Sequence, residues 1–208
     1  MIKIFKGLSI WLWGLSLAIL LTIYLAWLIY PFEISFLKLE SVVYLEKDTI
    51  GYNFNQLMSY LTNPFHQYLI MANFKSSANG LKHFKDVKHL FHLTQVVFLI
   101  LTIMNTSWLL KLKKQFLFDI SLKEMWYAIL LPIVIGIIAL GVGFDQFFTI
   151  FHQFLFPGDS TWLFDPLKDP VIWILPERFF SHCFMLFFLF YEIIFGFLAY
   201  LKKKNVKF

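Results

Sequence analysis

The chain has few means of crosslinking itself or of gripping a nucleic acid. Its 208 residues contain one cysteine, Cys183, so no disulfide can close within it. Arg178 is the only arginine, and just 15% of the residues are charged, against about 25% in an ordinary soluble domain. The net charge of +5 is carried almost wholly by lysine, with no basic stripe interleaved with aromatics, which excludes nucleic acid as a partner. The sequence has no Gly-x-Ser-x-Gly elbow, no phosphate-cradling Gly-rich loop and no His-Glu-x-x-His. It also lacks internal repeats and low-complexity tracts.

What is present is apolar. Hydrophobic residues make up 59% and aromatics 21%, with 27 phenylalanines. Four runs are long enough to cross a bilayer: residues 9–30, 89–110, 125–144 and 179–201. The first follows Lys3 and Lys6, is too long for a secretory signal core, and is expected to end at Pro31. The second carries His92, Thr94, Gln95, Asn105 and Thr106, whose polar groups belong in a helix-bundle interior. Glu192 in the last run reads either as a proton relay or as a carboxyl bonded to Tyr191 or Asn105.

Lysine placement sets the expected orientation. Lys3 and Lys6, then Lys111, Lys113, Lys114 and Lys123, then Lys202, Lys203, Lys204 and Lys207 all fall on one side of a four-span chain. The positive-inside rule makes that side cytoplasmic, with both termini. The expected organisation is a cytoplasmic N-terminus and span (1–31), an extracytoplasmic cap segment (32–88), two spans with a cytoplasmic linker (89–145), an extracytoplasmic loop (146–178), and a last span with a cytoplasmic tail (179–208). The fold class is thus an all-α membrane protein of about four transmembrane helices with a small α+β cap. The β part is residues 34–45, β-branched and aromatic with partial alternation. Residues 48–61 read as a short helix, with Phe54, Leu57, Met58 and Leu61 on one stripe.

All six histidines (His66, His83, His89, His92, His152 and His182) fall on the outer side or its edge. Three readings are open. They are interfacial rings with polar tips. They are a metal set built on His89 and His92, one helical turn apart, with His83 approaching. Or some of them perform acid–base chemistry at a lipid headgroup, since an unperturbed imidazole titrates near neutrality. Cys183 beside His182 points elsewhere on the helix and reads as a packed thiol.

Two stretches carry a resemblance. One is His83-Phe84-Lys85-Asp86-Val87-Lys88-His89-Leu90-Phe91. The other runs Phe151-His152-Gln153-Phe154-Leu155-Phe156-Pro157-Gly158, then Trp162-Leu163-Phe164-Asp165-Pro166, Asp169-Pro170 and Pro176-Glu177-Arg178-Phe179-Phe180. With four spans and an outer cap, they resemble the lipoprotein intramolecular transacylase (Lit) family of bacterial membrane enzymes. The family usually carries an acidic residue shortly before the first motif histidine and Met after it; here those places read Ala78-Asn79-Gly80-Leu81-Lys82 and Phe84.

The resemblance implies a bacterial cell-membrane acyltransferase without cofactor or metal. Its substrate is a diacylated lipoprotein among membrane lipids, and no obligatory protein partner is implied. The sn-2 acyl chain of the diacylglyceryl-cysteine moves to the free α-amine, leaving lyso-form lipoprotein. His83 is assigned as general base and His152 as acid or oxyanion stabiliser, and the two roles are interchangeable at this level. Asp86 either orients an imidazole or simply favours the helix dipole. Trp162 and Phe164, with the phenylalanines around 147–156, line an acyl channel or form an interfacial belt. Either Arg178 meets a phosphate headgroup or Glu177 fixes the cap, and Asp165-Pro166 and Asp169-Pro170 read as turns. The alternative from another class is a non-catalytic membrane component, such as a transporter subunit or a metal- or heme-handling partner.

Overall fold

The computed structural model describes residues 2–112 and 122–205. Lys113, Lys114 and Lys207, used in the orientation argument, lie outside the described residues. Helices α1 (Ile2–Phe36), α2 (Leu39–Val43), α3 (Lys47–Thr62), α4 (Ala78–Leu112), α5 (Leu122–Val142) and α6 (Phe144–Leu155) are followed by a 3-10 turn (Pro170–Ile174) and α7 (Glu177–Asn205). Among the described residues, four segments are long and apolar enough to cross a membrane: Phe5–Phe36, Ala78–Thr106, Lys123–Val142 and Glu177–Lys203.

The chain divides into two compact units: residues 1–22, 94–142 and 184–208 form the first, and residues 23–93 and 143–183 the second. In the first unit, helices meet through small residues and hydrogen-bonded polar ones, since apolar contact alone gives little preference for protein over lipid. Ser9 Oγ donates to Asn105 Oδ1 at 2.8 Å, Trp13 Nε1 to Thr102 Oγ1 at 2.9 Å, and Trp11 Nε1 to the Tyr191 hydroxyl at 2.9 Å. Gly14 lets α1 close on the Phe195 ring, which a Cβ would meet at 2.8 Å. Asn105 therefore faces the interior as expected, whereas Thr106, the next residue round the helix, is exposed. Glu192 bonds neither Asn105 nor Tyr191, and its Oε1 is buried without a partner.

The second unit has a helical core of its own. Tyr30 stacks on Phe54 with ring centroids 3.5 Å apart, and Phe179 meets both rings edge-on. Each such pair adds about 0.5–1.5 kcal/mol beyond simple burial. The Tyr30 hydroxyl donates to the Ile174 carbonyl at 2.6 Å. This anchoring explains why α1 does not stop at Pro31: the packing of Tyr30 carries the helix on to Phe36 although proline removes one helix hydrogen bond. Phe54, Leu57, Met58 and Leu61 are all buried on α3, as their spacing predicts. Asn53 is fully buried; its side chain bonds the Thr49 carbonyl and exchanges two hydrogen bonds with Asn73, pinning the irregular segment after α3.

The expected strand at 34–45 is absent, and no strand occurs among the described residues. That stretch is the end of α1, a left-handed Lys38, α2 and a left-handed Tyr44. β-branched side chains describe a fit to a pleated surface, and no neighbouring strand offers one. A helix satisfies the backbone groups within the segment instead. Beyond α5 the expected loop opens with α6, set off by Gly143 at φ 87°, where a side chain would be strained.

Candidate active site

The site belongs wholly to the second unit. His83 lies in the second turn of α4, whose start is built with care. Ser77 Oγ accepts the Gly80 N–H at 3.0 Å, the usual N-cap bond. The Asp169 carboxylate then receives both the Ser77 N–H and the Ser77 hydroxyl, each at 2.7 Å. Asp169 is 2% exposed. A carboxylate at a helix N-terminus also faces the positive end of the helix dipole. Gly80 has no side chain because its Cβ would collide with that carboxylate and approach the Phe164 ring.

His152 lies in the last turn of α6. Its Nδ1–H donates to the Phe148 carbonyl at 2.8 Å. A carbonyl can only accept, so this bond commits the ring proton to Nδ1 and leaves the Nε2 lone pair available. Burial among aromatic rings pushes the imidazole below its ordinary pKa, with the Phe148 bond opposing in part. The His152 ring is therefore neutral at neutral pH.

The two imidazoles face each other with ring centroids 5.9 Å apart. Phe156 and Phe164 meet the His83 ring edge-on at 5.0 and 5.6 Å. Trp162 stacks on His152 at 4.9 Å and 28°, and Phe148 lies 4.1 Å away. His83 is 6% exposed, and its Nδ1 is buried with no hydrogen-bond partner. An unpaired polar atom in an apolar cage costs stability and persists where something else uses it.

The loop after α6 carries Trp162. Asp159 accepts the Thr161 N–H at 2.8 Å through its side chain and the Trp162 indole N–H at 3.0 Å through its carbonyl. It also pairs with Lys82. The Lys82 ammonium and the Thr161 bonds hold its carboxyl far below the usual carboxylate range.

Of the residues singled out in the sequence, the structure brings together His83, His152, Trp162 and Phe164. Asp86 is within electrostatic reach of His83 but hydrogen-bonds neither imidazole. Asp165 turns back on its own loop, accepting the Leu167 N–H at 3.0 Å and pairing with Lys168 at 3.2 Å, so it makes the expected turn. Glu177 bonds Asp145, and Arg178 lies over the Phe36 ring at 5.9 Å. His182 pairs with Glu33 at 2.9 Å. His89 is exposed, and among the described residues no three His, Cys, Asp or Glu side chains converge as metal ligands. Asp169, Ser77, Gly80, Asp159 and Lys82 escaped the sequence reading. Asp-Pro suggests only a turn, and nothing local says which helix its carboxylate will cap.

Among the described residues, these features define a helical membrane protein with a buried histidine pair in an aromatic cage. The family model of the lipoprotein intramolecular transacylase Lit matches residues 4–180. The solved structure of the membrane integral Lit from Bacillus cereus is 31% identical, with a TM-score of 0.84, covering 99% of this chain and 94% of that one. Two further structures of the Bacillus cereus protein, each with one histidine replaced, by arginine or by alanine, match at 31% identity. Both have a TM-score of 0.77 and cover 99% of this chain and 91% or 92% of theirs. No significant match exists among curated proteins. The chain belongs to the Lit family and is an integral membrane enzyme, a lipoprotein intramolecular transacylase.

Proposed function

We propose that this enzyme moves the sn-2 acyl chain of a lipoprotein's diacylglyceryl-cysteine to the free α-amine of that cysteine, with His83 and His152 as the acid–base pair. The amine and ester belong to one substrate, so the site need only fold them into attack geometry. Well-oriented intramolecular pairs gain roughly 7–11 kcal/mol over a bimolecular encounter. No enzyme nucleophile is required.

The observation that carries the reading is the locked tautomer of His152 facing His83 at 5.9 Å. It also favours exchanging the roles assigned from sequence, with His152 as the base. As the amine nitrogen attacks the ester carbonyl, His152 Nε2 takes one of its protons. His83, oriented by Phe156 and Phe164, hydrogen-bonds the oxyanion or the departing glycerol oxygen. The intermediate collapses, the carbon–oxygen bond to glycerol breaks, and that oxygen receives the proton from the imidazolium. Amide and alcohol replace amine and ester, and no water is consumed. Trp162 and Phe164 exclude water and give the acyl chain an apolar wall. The lysine-rich segments are cytoplasmic and the histidine pair extracytoplasmic, which the lysine distribution supports.

The test is mass spectrometry of a lipoprotein's amino-terminal lipopeptide, from a bacterial host that lacks its own N-acylation and expresses this chain. Wild type yields lyso-form lipopeptide, and His83→Ala and His152→Ala leave the diacyl form. Unchanged diacyl lipopeptide with well-expressed wild type overturns the acyl transfer. Full conversion by either alanine variant overturns the histidine roles.

A further inference from the structure

Lys82 and Asp159 form an ion pair outside the imidazole pair, yet each is joined to one half of it. Lys82 immediately precedes His83 on α4. Asp159 begins the turn after α6 and holds that turn in shape three times over. Its N–H donates to the Phe156 carbonyl at 3.1 Å, its side chain accepts the Thr161 N–H, and its carbonyl accepts the Trp162 indole. Trp162 in turn stacks on His152, and Phe156 lies against His83. The pair therefore fastens the helix that carries His83 to the loop that walls both rings.

We propose that the Lys82–Asp159 ion pair is a positioning device for the transfer reaction, setting the separation of the two imidazoles rather than holding the fold together. This rests on the acid–base reading of His83 and His152. The Lys82 side chain is 55% exposed and that of Asp159 22%, and ion pairs so open to water contribute little to stability. Geometry is a different matter. A misplacement near 1 Å costs on the order of 100-fold in rate. Asp159→Asn removes the charge while keeping an oxygen for Thr161 and the main-chain contacts, so it isolates the ion pair. Lys82→Met removes the other partner while keeping most of its stem.

The experiment measures initial rates of lyso-form product from a synthetic diacylglyceryl lipopeptide, using the purified full chain in detergent, with thermal midpoints recorded alongside. Lys82→Met and Asp159→Asn are each expected to lower kcat by about 10- to 100-fold with KM and the midpoint little changed. The double variant falls no further than the worse single, because both remove one interaction. Lys82→Arg, which keeps the charge, recovers most of kcat. Wild-type kcat in either single variant, losses that multiply in the double, or a Lys82→Arg as slow as Lys82→Met overturns the proposal. His83→Ala and His152→Ala run as controls. If they keep the wild-type rate, the histidine reading fails and this inference with it; if they are inactive while the pair variants run normally, only this inference fails.

Discussion

Replacing Asp169 by alanine should damage both stability and rate, although Asp169 touches neither imidazole. The carboxylate receives the Ser77 N–H and hydroxyl at 2.7 Å each, and it is almost fully enclosed. Hydrogen bonds to a charged group are worth about 1.5–3 kcal/mol each, and two on one carboxylate do not simply add. A loss of about 2–4 kcal/mol follows, including the half-buried Ser77 N–H left without its acceptor. For a chain of this size that is roughly 5–15 °C in unfolding midpoint. The α4 start then frays, and His83 lies less than two turns beyond Ser77. The purified variant should melt early in detergent, and its kcat should fall even well below the new midpoint. Asp169→Asn, which keeps one good acceptor, should lie between. An Asp169→Ala enzyme with the wild-type midpoint and kcat would refute the idea that this carboxylate holds α4 and thereby His83.

Two more outcomes follow from the same geometry. Gly80→Ala drives a Cβ into the Asp169 carboxylate and to 3.3 Å from the Phe164 ring, so it should cost about 1–3 kcal/mol, read by thermal unfolding. A normal midpoint would show that the contact yields freely. The pH dependence has two limbs. The substrate amine must be unprotonated, so log(kcat/KM) should climb with unit slope up to about pH 8. On the proposed roles His152 is the neutral base, and burial depresses its pKa, so protonation removes its lone pair only as pH falls below the ordinary imidazole value of about 6.5. The profile should steepen there and not above; steepening nearer 7.5 would mean that His152 is not the depressed base.

Much was legible before any tertiary structure. The four spans follow from run length, because a bilayer demands about 20 apolar residues with their backbone bonds closed internally. The α3 stripe of Phe54, Leu57, Met58 and Leu61 was readable because helical periodicity is local. The same signal is present in α6, where Phe144, Phe147, Phe148 and Phe151 recur at helical spacing, but at 12 residues the helix is too short to register as a span and falls inside the stretch expected to be a loop. The strand at 34–45 went wrong because β-propensity needs a partner that one segment cannot reveal.

Sequence was enough for the solvent this protein folds in and for the residue types open to acid–base work. Hydropathy is summed along the chain, and a histidine's titration range belongs to the side chain. Tertiary structure alone decided that His83 and His152 meet, that a Phe148 carbonyl fixes the tautomer of one, and that Asp169 caps the helix bearing the other. The first and last of those facts join residues 69 and 92 positions apart, where no local periodicity reaches, while the Phe148 bond spans one turn of α6 and matters only because the ring it fixes faces His83. Burial, which lowers the pKa of the His152 imidazole, comes only from what packs around it.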